Sequence, residues 1–182
     1  MNDIEKTLVI IKNDAIKRSL VGKILQKFEE AGLKIIEMKM TIPTEAEAKA
    51  HYNMGNNLKW LTGVGMKAKS MYSSEKAIAK RFNSTNAATI GKAVYHWSVL
   101  QLQNKPIVVL VLKSPSAIRK VKEIVGSTVP SESDMSTIRG MYSSDSITHS
   151  NAKKRALHNV VHRSSDAKEA KREIQLCVLD KN

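Results

Sequence analysis

The chain has 182 residues, 42% hydrophobic and 26% charged, which fits one domain with a packed core and excludes a disordered or membrane-embedded protein. Thirty basic residues against 17 acids leave a net charge of +13. That surplus attracts polyanions such as nucleotides, nucleic acid or acidic membrane faces, although a merely lysine-rich surface has the same composition.

No apolar run approaches the roughly 18–20 residues that a membrane helix needs. The start of the chain, Met1-Asn2-Asp3-Ile4-Glu5-Lys6, carries early acids and no signal-peptide pattern. The single cysteine, Cys177, permits no internal disulfide. The expectation is a cytoplasmic protein with no membrane role.

Residues 6–11 form a short β-branched run that predicts a buried strand ending at Lys12. A helical turn begins at Asp14. Val21, Ile24, Leu25 and Phe28 then recur at helical spacing, with Gly32 as the stop. Residues 33–42 return to strand character, with Ile36, Met38 and Met40 expected on one buried face. Pro43 ends that strand, and Thr44 is placed to cap a helix over 45–52.

Residues 53–105 change in character. Eight basic side chains face one acid, Glu75. Leu58, Leu61, Val64 and Met71 mark one helical face, and Ile90, Val94, Trp97, Val99 and Leu100 mark another. The segment reads as a basic helical insertion in a single domain spanning 1–182.

The most apolar run, 107–112, predicts a central strand. Ser116 is placed to cap a helix over 117–125, which Gly126 closes. Residues 127–150 are polar with few apolar anchors and read as a long functional loop. A short strand at 158–161 and a helix at 167–176 complete the chain. The element order predicts an α+β fold, a ferredoxin-like split βαβ antiparallel sheet with helices on one face.

His162 follows Asn159, Val160 and Val161 at the end of the last strand. Imidazole is partly uncharged near neutrality, and covalent catalysis by histidine needs that form plus a partner for the second ring nitrogen. Glu173, on the closing helix, is a candidate partner. A histidine at a strand end is also a common structural residue. No Asp/Glu/His group shows metal-ligand spacing, which disfavours a metal hydrolase or nuclease and leaves no protein metal site expected.

Several stretches in order resemble the nucleoside diphosphate kinase family: Thr7 to Ala15, Val21-Gly22-Lys23-Ile24, Gly32 to Ile35, His51-Tyr52, Thr137-Ile138-Arg139-Gly140, Asn159-Val160-Val161-His162 and Arg172-Glu173-Ile174. The segment 53–105 looks like that of a longer subgroup. The resemblance implies a ping-pong transfer, in which a nucleoside triphosphate phosphorylates His162 and phosphohistidine passes the group to a nucleoside diphosphate.

It also implies roles for other residues. Lys12, Lys122 and Arg139 would supply positive charge around the phosphates, bridged by Mg2+, and Thr128 a hydroxyl. Asn159 and Lys12 would meet the sugar, Tyr52 would complete the nucleotide site, and Trp60 would stack on the base. Glu173, with Ser164 nearby, would orient His162. Trp60 is equally placed to serve as a core residue of the inserted helices, and Lys122 to belong to a solvated face. A homo-oligomer, hexamer or tetramer, is implied as well.

Departures from the family pattern are Asn13 for a proline, Lys122 for an arginine, Met141 for an acid, Arg163 for a small residue and Ser165 for an aspartate. The second reading of the chain is a catalytically weak or inactive fold that binds nucleic acid or a large assembly through its basic surface.

Overall fold

The computed structural model describes residues 4–178. The order is β1 (Ile4–Ile11), α1 (Asn13–Ile16), α2 (Val21–Glu30), β2 (Lys34–Thr41), α3 (Glu45–Tyr52), α4 (Leu58–Lys69), α5 (Glu75–Phe82) and α6 (Ala87–Leu102). Then follow β3 (Ile107–Pro115), α7 (Ala117–Val125), α8 (Ile138–Tyr142), α9 (Ile147–Ala152), β4 (Val161–Arg163) and α10 (Ala167–Val178). A 3-10 turn lies at Pro130–Glu132.

The strands form one antiparallel sheet in the order β2-β3-β1-β4. This is the ferredoxin-like arrangement expected from the element order. The two most apolar strands, β1 and β3, lie at its centre, in register from Ile4↔Pro115 to Ile11↔Val108.

Val9, Ile11, Leu110 and Leu112 pack with Ile24 and Phe28 of α2 and with Val121 and Val125 of α7. The opposite face is also covered, in contrast to the one-sided layer expected. There Leu8, Ile10, Ile107 and Val109 meet Ala48 of α3 and Val99 and Leu102 of α6, with Ile174 of α10 against them. Continuous apolar runs, unlike alternating ones, require cover on both sides.

β2 departs from its expected pattern. Met38 and Met40 are 60% and 62% exposed. Their register beside Leu110 and Val108 sets them on the face that α2 and α7 cover, but β2 is the sheet edge and neither methionine joins that core. A bulge between Ile35 and Glu37 further breaks the alternation.

Capping followed the sequence at α3, where Thr44 and Glu47 form a reciprocal capping box. It did not at α7. Ser116 is left-handed (φ 52) and makes no side-chain cap, and Glu5 Oε2 of β1 instead accepts from the Ile118 amide at 3.2 Å.

The expected loop at 127–150 contains α8, α9 and the 3-10 turn. Thr137 and Ser146 cap the two helices with their hydroxyls. Helices of five and six residues are too short to declare a 3.6-residue period. The last strand begins at Val161, because Val160 is left-handed (φ 57) and cannot continue a strand.

Residues 53–105 are helical, as expected, and form α4, α5 and α6. Leu61, Ile90 and Val99 are buried, but Leu58, Met71 and Leu100 are exposed rather than part of an apolar face. The helices α4 and α6 approach backbone to backbone instead. A Cβ on Gly65 would lie 1.8 Å from the Ala87 carbonyl oxygen, and one on Gly91 would lie 1.9 Å from that of Leu61. Among the described residues, no helix is long and apolar enough to cross a membrane.

Candidate active site

The site is built on a kinked turn. Val160, a β-branched residue in the left-handed region, is held by one side-chain and one backbone hydrogen bond, and a third bond closes the turn across it. Its amide donates to Asp14 Oδ2 at 3.0 Å, its carbonyl accepts from the Lys12 amide at 2.8 Å, and the Val161 amide donates to the Asn159 carbonyl at 2.6 Å. The junction of β1 and α1 thereby fixes the backbone just before His162. His162 itself pairs with Ile10.

His162 Nε2 lies 3.0 and 3.2 Å from the two carboxylate oxygens of Glu173. A carboxylate only accepts, so Nε2 carries the proton and Nδ1 keeps its lone pair. Ser164 Oγ donates to Glu173 Oε2 at 2.6 Å and fixes the carboxylate from the other side. Burial, then the Lys12 charge, pushes the His162 pKa well down, so the ring is neutral at physiological pH. Glu173 is 1% exposed, and burial raises its pKa.

Lys12 is 6% exposed. Its Nζ donates to Asn159 Oδ1 at 2.8 Å and to Gln101 Oε1 at 3.0 Å. Burial lowers its pKa to about 8. Asn159 Nδ2 in turn donates to the Thr128 carbonyl at 2.9 Å. Gln101 Nε2 donates to the Leu157 carbonyl at 2.7 Å. Asp145 forms a two-pronged ion pair with Arg155 and accepts from the His158 amide at 2.8 Å, which shapes the chain leading into Asn159.

Arg139, 4% exposed, donates to the carbonyls of Gly126, Ser127 and Val161 at 3.1, 2.9 and 2.8 Å. Its guanidinium therefore ties the loop carrying Thr128 to the strand carrying His162, and its Nε remains without a partner. Burial and the charge of Arg163 press its pKa down.

A cavity of about 450 Å³ connects these groups. Lys12, Tyr52, Trp60, Thr128, Arg139, Asn159, His162 and Glu173 line it, as do Arg163 and Ser165. Trp60 meets Tyr95 edge to face at 6.4 Å. Lys122 is the exception, lying exposed on α7 and outside the cavity wall. Asn13, in place of the family's proline, is 7% exposed and donates to the Pro106 carbonyl at 3.4 Å.

Three residues take part in the site to which the sequence assigned no role there. Gln101 reaches Lys12 from α6, and nothing in that helix's pattern distinguishes it. Asp14 clamps the Val160 turn, and its place two residues after Lys12 was the available clue. His51, beside Tyr52, packs edge to face on His162 with ring centroids 4.5 Å apart. Together His51, His162 and Glu173 place possible ligand atoms within 4.8 Å of one another, a group that sequence spacing did not reveal.

An uncharged imidazole held by a carboxylate, beside a buried lysine at a nucleotide-sized cavity on a ferredoxin-like sheet, is the arrangement of a phosphotransferase. The nucleoside diphosphate kinase family model matches residues 5–64 and 60–182, and the chain belongs to that family.

A nucleoside diphosphate kinase of Pyrobaculum aerophilum is 37% identical over 174 residues, covering 94% of this chain and 93% of that protein. One of Pyrococcus furiosus is 31% identical over 176 residues, covering 97% and 84%. The solved structure of a Pyrobaculum aerophilum NDP kinase superposes with a TM-score of 0.88 at 33% identity, over 96% of this chain and 95% of that one. The Borrelia burgdorferi enzyme, solved as a transition-state mimic with bound vanadate and ADP, gives 0.73 at 29% identity, over 95% and 86%.

Proposed function

We propose that this kinase works through a phosphohistidine at His162. Nδ1 attacks the γ-phosphorus of a nucleoside triphosphate. The N–P bond forms as the bond to the β–γ bridging oxygen breaks, and the diphosphate leaves with that electron pair. In the second half, a terminal oxygen of a different nucleoside diphosphate attacks the same phosphorus and the N–P bond breaks. The single observation that carries this reading is the Glu173 contact at Nε2, which leaves Nδ1 as the free nucleophile.

Lys12 and Arg139 place positive charge where it builds up on the transferring group, and Thr128 offers a hydroxyl to a phosphate oxygen. Asn159 and Lys12 meet the sugar, while Tyr52 and Trp60 bound the base. Lys122 reaches the phosphates only by extending from α7. Mg2+ would come with the nucleotide's phosphates and offset their charge; it prefers oxygen ligands and the wall is rich in nitrogen donors, so the protein need not hold it. Parallel double-reciprocal plots for ATP against GDP are expected, and intersecting lines would refute the ping-pong order.

The same reading places the kinase in the cytoplasm as a hexamer or tetramer. Its support is the exposed apolar edge of β2, where Met38 and Met40 are joined by Ile42, 61% exposed. Residues 53–105 are read as the insertion of a longer subgroup, in keeping with the break of the family match inside that segment. Its exposed Lys59, Lys67, Lys76, Lys80 and Lys92 favour a second, non-specific affinity for nucleic acid, which a steep loss of binding with salt tests.

A further inference from the structure

His51 is 6% exposed and lines the cavity, and neither of its ring nitrogens has a hydrogen-bond partner. A buried imidazole with two idle nitrogens is costly unless something binds them. Its Nε2 lies 3.6 Å from Glu173 Oε1, and His162 Nε2 lies 3.0 Å from the same oxygen. Ligand atoms bound at about 2.0–2.1 Å to a tetrahedral zinc sit roughly 3.4 Å apart. The two observed edges bracket that spacing, and all three ligand atoms fall within 4.8 Å of one another.

We propose that His51, His162 and Glu173 form a zinc site whose fourth position opens to the cavity, and that zinc bound there switches the kinase off. Two imidazoles and one carboxylate suit a borderline-soft ion and not Mg2+, which demands oxygen ligands. Lys12, Arg139 and Arg163 line the same cavity and oppose a dication, so only an ion with strong nitrogen affinity competes.

The inhibition follows from counting protons. Zinc takes the lone pair of His162 Nε2, and the proton of the neutral ring then resides on Nδ1. There it occupies the electron pair that must attack phosphorus. No redox step or leaving group is involved, so a chelator restores the nucleophile.

Zinc sulfate titrated into the full chain in a calorimeter tests the binding. One zinc per chain is expected, together with loss of label transfer from γ-labelled ATP in step with occupancy, reversal by EDTA and no relief by excess Mg2+. His51→Gln is expected to weaken zinc binding about tenfold or more. Its inhibition is read against the variant's own zinc-free rate. His96→Gln and His149→Gln, at exposed histidines, serve as controls and should bind zinc as the wild type does.

Cobalt gives a second readout, since a tetrahedral site yields a visible absorption band that His51→Gln should lose. No binding, zinc inhibition retained in full by His51→Gln, or binding lost equally in the controls would overturn the proposal. The inhibition rests on the phosphohistidine reading, but the binding does not. A chain that binds zinc through His51 yet never labels would contradict that reading and keep the site.

Discussion

The cavity has two walls of different origin. One is the sheet side, where β1, β4 and α10 bring Lys12, His162 and Glu173 together through strand pairing and short hydrogen bonds. The other is the helical side, where α4 and α6 contribute Trp60, Val64, Trp97 and Gln101. The first wall is fixed by backbone register in β1 and β4 and by the hydrogen bonds that tie Glu173 of α10 to His162 and Ser164. The second is fixed by close packing at Gly65 and Gly91 and sends one polar group, Gln101, across to Lys12. Chemistry rests on the ladder and the shape of the pocket on the helix crossing.

Perturbing the walls separately gives effects of decreasing size. Lys12 sits at their junction. Burial lowers its pKa in the folded protein to about 8, below the 10.5 of an ordinary lysine, so the folded state binds that proton more weakly than the unfolded chain does. The charged form is therefore carried at a cost below pH 8, and the cost fades as pH rises toward 10.5. Wild-type stability relative to Lys12→Met should thus improve by roughly 3 kcal/mol between pH 8 and pH 10.5, as read by urea unfolding. A flat difference would show that Lys12 is solvated. Nucleotide affinity of the free enzyme should move oppositely and weaken as pH climbs past 8.

On the sheet wall, Glu173→Gln removes the charge that orients His162, and kcat should fall by about 100-fold with nucleotide affinity little changed. An equal loss in KM would instead assign Glu173 to nucleotide binding. On the helical wall, Gly91→Ala drives a methyl group into the Leu61 carbonyl and should destabilise the fold by about 2 kcal/mol. Hydrogen exchange should rise first in α4 and α6, with β1 and β3 still protected; uniform loss would deny that the walls are separable. The smallest effect is expected for Gln101→Ala. It leaves Lys12 bonded to Asn159 and should raise KM only a few-fold, about 1 kcal/mol.

The same division explains what the sequence disclosed. His162, Glu173, Asn159 and Lys12 could be singled out because each sits in a short motif that resembles the family's, and the structure brings all four to one cavity wall although Lys12 and Asn159 lie just outside the strands. β1 and β3 were legible as continuous apolar runs. Met38 and Met40 were misread because alternation cannot reveal which strand lies at the sheet edge. Ser116 was misread because its replacement as a cap, Glu5, is distant in sequence. Gln101 and His51 entered the site through helix packing across the cavity, which leaves no local mark. Arg139 is expected at the site from its motif and lies in the cavity wall, but its three carbonyl partners could be seen only once the loop had folded around it.

The central claim is that His162 carries the phosphoryl group. Incubation with γ-labelled ATP and Mg2+, followed by separation under alkaline conditions, tests it on the wild type and His162→Ala. Acid-labile label on the wild type alone, discharged by GDP to give GTP, is the predicted result. Equal labelling of folded His162→Ala, or no label on the folded wild type, would contradict the account.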